Sequence, residues 1–171
     1  MKGWIRDILV AILIALVIMT FIKPTIVKES SMQPTLYANN YIFLSKQAYR
    51  FSEPERGDII VFHSDLTTPD GSEKLLIKRI IAVPGDIITI QDGNVYINDE
   101  VLDEPYINGN VTSGNIDHMK IPDGDIFVMG DNRGVSIDSR DSRVGCVKIN
   151  MIVGKAFFRL YPFNKIGLLT T

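Results

Sequence analysis

Ser31 and Lys78 are the residues in this chain that could combine as a nucleophile and its base. A serine hydroxyl is a weak nucleophile and needs a base within hydrogen-bond reach. The two histidines, His63 and His118, stand far apart in polar contexts and read as surface residues. Lys78 is different. It lies inside Leu75 to Val83, LLIKRIIAV, with apolar residues before it and Arg79 and further apolar residues after it. Alternate residues of a strand share a face, which groups Lys78 with Leu76, Ile80 and Ala82. Arg79 then falls with Ile77, Ile81 and Val83. A lysine among apolar neighbours is costly to charge, so its pKa falls. To act as a base near neutrality it must drop from about 10.4 to about 7–8, roughly 4 kcal/mol of preference for the neutral amine. On pattern alone, a snorkelling or salt-bridged lysine accounts for the same residues.

Arg79 reads as structural, a guanidinium in search of a carboxylate. The polar segment Gly130 to Arg140, GDNRGVSIDSR, is dense in groups that could satisfy it. Within it Ser136 could accept from a neutral amine and orient it, and Asp138 and Arg140 could pair to hold the loop. A hydrogen-bonded surface loop is the plainer reading of the same segment.

The elements that would position these groups begin with Ile8 to Ile22, ILVAILIALVIMTFI, which carries no charge. Crossing a bilayer takes roughly 20 apolar residues. A helix from Trp4 to Lys23 reaches about 30 Å if Arg6 and Lys23 snorkel, with Pro24 ending it. The competing reading is a cleaved signal peptide, but no small-x-small site follows Ile22. Lys2 and Arg6 favour a cytoplasmic N-terminus; Lys23 and Lys28 pull weakly the other way. Residues 1–24 are thus expected to be anchor. Ser31 then sits where the chain leaves the membrane.

Residues 25–171 are expected to be one extracytoplasmic, mainly β domain, about 145 residues long. Tyr41 to Ser45, Ile59 to Phe62, Leu75 to Val83, Ile87 to Ile90, Val95 to Ile97, Val101-Leu102, Ile126 to Met129, Val147 to Ile152 and Lys155 to Tyr161 read as strands. Pro84-Gly85-Asp86, Asp92-Gly93-Asn94 and Pro122-Asp123-Gly124 read as turns. His63 to Glu73 reads as a surface loop, and Asn108 to Lys120 as a loop or extended excursion. Short strands with frequent turns predict a barrel-like or sandwich architecture. The chain has 171 residues, is 46% hydrophobic and carries a formal net charge of −2, so no basic excess points to nucleic acid. A lone Cys146 excludes an intrachain disulfide, and no Cys/His cluster suggests a metal.

With these residues assembled, the chain resembles the bacterial type I signal peptidases, of the compact Gram-positive kind. Ser31-Met32-Gln33-Pro34-Thr35-Leu36 is similar to their S-M-x-P-T-L box. Arg56 to Phe62 resembles their R-G-D box, Lys78 to Asp86 their K-R-x-x-x-x-P-G-D box, and Gly130 to Arg140 their G-D-N-R-x-x-S-x-D-S-R box. The resemblance implies a membrane-anchored serine endopeptidase with Ser31 as nucleophile and Lys78 as general base. It implies a supporting set of Ser136, Asp138, Arg140 and Arg79. It implies shallow pockets for small substrate residues, lined by Val27, Met32, Leu36, Leu76 and Ile77. A smaller inserted β subdomain is implied at about 88–121. The implied partners are preproteins with cleavable signal peptides, the lipid bilayer and the secretion machinery, with no metal, cofactor or nucleic acid. The implied location is the cell membrane, spanned once, with the catalytic domain outside.

One position departs from the resemblance. Some family members carry a serine two residues before the nucleophile, where its hydroxyl adds to the oxyanion hole. Here the residue is Glu29. A carboxylate beside a developing oxyanion is unfavourable, so Glu29 is expected to face solvent. Two other readings fit parts of the pattern: a repressor-type Ser/Lys autoprotease, which lacks an anchor, and an inactive relative that only binds signal peptides.

Overall fold

The computed structural model describes residues 2–107, 109 and 111–169. Asn108 and Asn110 of the expected polar excursion lie outside the described residues, as do Met1, Thr170 and Thr171. The chain opens with α1, Lys2–Phe21. Its stretch Gly3–Phe21 has a mean hydropathy of 2.3 and none of it is buried against the rest of the protein. It is long and apolar enough to cross a membrane, and it is a candidate span on those grounds.

The helix ends before Pro24, and the chain runs straight into β1, Ile22–Ile26. The helix therefore stops short of residue 24, and Lys23 and Pro24 belong to a strand. Proline is tolerated there because β1 is an edge strand, paired only with β2, Tyr41–Ser45. The main-chain N–H of Lys46 donates to the Phe21 carbonyl, tying the end of β2 to the end of the helix.

The larger sheet continues through β3 (Ile59–Thr67), β4 (Glu73–Ala82), β9 (Asp125–Met129), β10 (Val147–Lys148), β11 (Ile152–Tyr161) and β12 (Gly167–Leu168). Its order is β1-β2-β11-β3-β4-β9-β10, with β12 added to β11. Every pairing is antiparallel. Alternation along β3 splits its side chains between two cores. Ile59 and Val61 join Val27, Met32, Leu36, Ile42, Leu44 and Ala156. Ile60 and Phe62 join Leu76, Ile80, Ile126, Val128 and Val147.

A second sheet, in the order β7-β6-β5-β8, holds β5 (Ile87–Gln91), β6 (Asn94–Ile97), β7 (Glu100–Val101) and β8 (Ile116–Lys120). Its core residues Ile88, Ile90, Val95 and Ile97 pack with Ile81, Ala82, Phe127 and Met129 of β4 and β9. The smaller sheet thus rests on the strand that carries Lys78.

Parts of the two segments expected to lack regular structure are strands instead. His63 to Thr67 and Glu73-Lys74 extend the β3–β4 hairpin, leaving only Thr68 to Ser72 as its turn. Their polar side chains suit a hairpin end that is mostly exposed; buried Ser64 donates to the Lys74 carbonyl. Ile116 to Lys120 is β8, a mostly exposed strand whose polarity hid it.

Candidate active site

Three elements meet at Ser31. The Ser31 loop follows β1, and its turn is closed by Gln33 N–H to the Ser30 carbonyl and Leu36 N–H to the Met32 carbonyl. The Ser31 main-chain N–H takes no part in those turn bonds. Met32 and Leu36 are buried in the core with Val27, so the loop is anchored by its apolar side chains while Ser31 faces the groove. β4 supplies Lys78, and the loop after β9 closes the site from the far side. There the Asn132 N–H donates to the Ser31 carbonyl at 3.0 Å.

Lys78 Nζ lies 2.8 Å from Ser31 Oγ, within a hydrogen bond. Its other bond, of 3.1 Å, goes to the Ile77 carbonyl. Lys78 is fully buried, and among the described residues no carboxylate comes within ion-pair distance of it. Burial therefore lowers its pKa from 10.5 to about 8, against the pull of Asp138 and Glu29, which raise it. A neutral amine in this position can accept the Ser31 proton.

Arg79, next along the strand, is treated in the opposite way. Its Nε and Nη2 grip Asp131 at 2.9 and 2.8 Å, and Nη1 reaches the Gly57 carbonyl at 2.8 Å. Its guanidinium lies 3.9 Å from the Tyr106 ring centre. Asp131 also accepts from Thr35 Oγ1, so the pair ties the Ser31 loop to β4.

The Gly130 to Arg140 segment is held from within. Asp138 accepts from Arg140 Nε at 2.8 Å and Nη2 at 2.9 Å, and from the Gly130 N–H at 3.0 Å. Burial pushes the Asp138 carboxyl up, but these donors outweigh it and hold the group below the usual carboxylate range. Arg133 pairs with Glu104 and Thr112 from the chain leaving the smaller sheet. Ser136 Oγ is buried beside Asp138 without an aligned hydrogen-bond partner. A Cβ at Gly130 would collide with both the Ser136 side chain and the Ser31 carbonyl oxygen. The two hydrogen bonds of Lys78 do not include Ser136.

Beside Ser31 runs a groove of about 590 Å³. One wall is Lys23 to Glu29 and the other is Glu73 to Leu75 and Ile77, with Met32 and Val61 also lining it. Lys78 does not line it and reaches Ser31 from the buried side. A larger cleft of about 730 Å³, bounded by Ser45 to Arg50, Asp123 to Asp125 and Lys148 to Ile152, contains neither Ser31 nor Lys78.

A family model described as signal peptidase, peptidase S26, matches residues 1–161. The chain belongs to that family. Probable signal peptidase I-2 of Synechocystis sp. is 38% identical over 96% of this chain and 75% of its own length. Signal peptidase I S of Bacillus subtilis is 36% identical over 95% of this chain and 90% of its own. A crystal structure of a signal peptidase I from Enterococcus faecalis is 31% identical, covers 61% of this chain and 97% of its own, and aligns with a TM-score of 0.47. As a member of the signal peptidases the chain is a serine endopeptidase, a hydrolase.

The signal peptidase boxes thus divide into those that reach Ser31 and those that brace it. Arg56 pairs with Asp86, and Asp58 with Tyr49 and Lys155, pinning the start of β3 and the end of β4. Of the expected pocket residues, Val27, Met32 and Ile77 face the groove, and Leu36 lies in the core beneath them. Leu76 does not belong with them. It points to the opposite core with Ile80 and Phe62, because neighbours on a strand cannot share a face. Glu29 is exposed, and its carboxylate meets Lys74 Nζ. Asp131, Thr35, Arg133 and Glu104 carry roles that the sequence reading did not assign. The first three lay in recognised boxes; nothing local marked Glu104.

Proposed function

We propose that this enzyme is a membrane-anchored signal peptidase in which Ser31 is the nucleophile and Lys78 the general base. The observation that carries the reading is the 2.8 Å contact between Ser31 Oγ and a buried Lys78 that has no carboxylate at ion-pair distance among the described residues. Neutral Lys78 takes the Ser31 proton as Oγ bonds to the scissile carbonyl carbon. The main-chain N–H of Ser31, free of the turn, donates to the oxyanion that forms. The C–N bond then breaks, and the Lys78 ammonium returns its proton to the leaving amine. Water repeats the cycle on the acyl-enzyme: Lys78 takes its proton, the acid departs, and Ser31 recovers a hydrogen. Ser136, Asp138, Arg140 and Arg79 support this centre by holding the loops that frame it.

The substrate is a preprotein that lies in the groove as an added strand. Open edges support this. β9 pairs with β4 only from Arg79 to Ala82, which leaves the Lys74 to Ile77 edge free, and β1 is paired on one side only. Val27, Met32 and Ile77 under that strand leave room for small side chains. Helix α1 exposes apolar side chains along its whole length, and burying them in a bilayer is the favourable outcome. Its N-terminus is cytoplasmic by the placement of Lys2 and Arg6, with the β portion outside. A substrate whose own apolar segment is still in the bilayer would then present its cleavage site at the height of Ser31. Residues 88–121 form the inserted subdomain, and the secretion machinery is the expected neighbour.

Cleavage of a preprotein in detergent by wild type, Ser31→Ala and Lys78→Ala tests the dyad. Loss of at least about 10³-fold in each variant is expected. Three equal rates would sink the assignment.

A further inference from the structure

Glu29 and Lys74 stand on opposite walls of the groove, one just ahead of the nucleophile loop and one at the start of β4. Their charged ends meet at 2.6 Å, with the side chains 48% and 28% exposed. Among the described residues no other ion pair joins these two walls. The position matters because Glu29 is two residues from Ser31. An unpaired carboxylate there would repel the negative charge that grows on the substrate carbonyl. It would also favour the ammonium form of Lys78 and so remove the base.

We propose that Lys74 is a positioning residue for peptide-bond cleavage. Its ion pair holds the Glu29 carboxylate away from the oxyanion position and cancels its charge at the dyad. The proposal rests on the Ser31–Lys78 reading.

The charges around Lys78 agree with it. From the loop after β9 come Asp138 and Asp131, already held by Arg140 and Arg79. From the strand itself come Lys74 and Arg79. From the segment before the nucleophile comes Glu29, whose only cationic partner among the described residues is Lys74. After burial, Asp138 and Glu29 raise the Lys78 pKa, and Lys74 is the neighbour that lowers it. Take Lys74 away and the Glu29 contribution stands uncompensated.

The test is preprotein cleavage by the full chain in detergent, with kcat, KM and pH profile read for five variants. Lys74→Gln is expected to lose about fivefold in kcat with KM little changed, the size of an exposed ion pair. Its acidic limb should move to higher pH. Lys74→Arg keeps the pair and should keep the rate. The double variant Glu29→Gln/Lys74→Gln should recover most of the lost kcat and bring the limb back. A double variant as slow as Lys74→Gln, or a Lys74→Gln enzyme with unaltered rate and limb, would overturn the proposal. Ser31→Ala and Lys78→Ala run alongside: if either cleaves like wild type, the dyad reading has failed. If both are inactive and Lys74→Gln is normal, only the role of Lys74 has failed.

Discussion

Lys78 and Arg79 are adjacent on β4, both cationic by type and both removed from water, yet their surroundings are opposites. On the Arg79 side each guanidinium nitrogen finds an acceptor, from Asp131 or the Gly57 carbonyl, and the group lies over the face of Tyr106. On the Lys78 side there is a hydroxyl, a carbonyl and apolar packing, with no carboxylate at ion-pair distance among the described residues. The difference separates two uses of a buried cation. A guanidinium that cannot lose its proton serves as a tie between loops. An ammonium denied a countercharge gives up its proton and becomes a base.

Breaking the tie should cost the most stability. Arg79→Met leaves the Asp131 carboxylate buried without its partner, and about 3–5 kcal/mol of unfolding free energy should be lost. Chemical unfolding of the full chain in detergent would read it; a loss under about 1 kcal/mol would mean that the pair does not organise the Ser31 loop.

The same measurement on Lys78→Met should move the other way. The folded pKa of about 8 lies below the unfolded value near 10.5, so the unfolded chain binds more protons between them. The penalty is then full below about pH 8 and fades as pH rises through the unfolded pKa. Removing the amine should gain about 1–3 kcal/mol at pH 7 and much less at pH 10. A destabilised Lys78→Met protein would put Lys78 in the same class as Arg79.

Gly130 sharpens the comparison from the loop side. Its hydrogen atom is all that fits between Ser136 and the Ser31 carbonyl. Gly130→Ala should cost about tenfold or more in cleavage by displacing Ser31 from Lys78, with a smaller loss of stability. Wild-type kcat in this variant would mean the loop has room to yield.

Much of this contrast was legible in the sequence. LLIKRIIAV announced a buried strand, and the boxes around Ser31, Lys78 and Gly130 named the residues that meet. Apolar clusters marked β2, β4 and β9 well. What escaped were elements whose residues run against type. Lys23 and Pro24 sit in β1 because an edge strand leaves one side unpaired. Ile116 to Lys120 is polar because β8 is exposed, and His63 to Thr67 because the hairpin end is mostly exposed. Leu76 was grouped with Ile77 although the alternation used for Lys78 separates them. Partners distant in sequence, such as Glu29 with Lys74 or Glu104 with Arg133, leave no local trace; only the folded chain brings them together.

The central claim is that Lys78 works as a neutral amine, and the pH dependence of kcat/KM for preprotein cleavage tests it most directly. With a folded pKa of about 8, the rate should fall about tenfold for each unit of pH below that value as the ammonium form takes over. A rate unchanged from pH 8 down to pH 5 would contradict it.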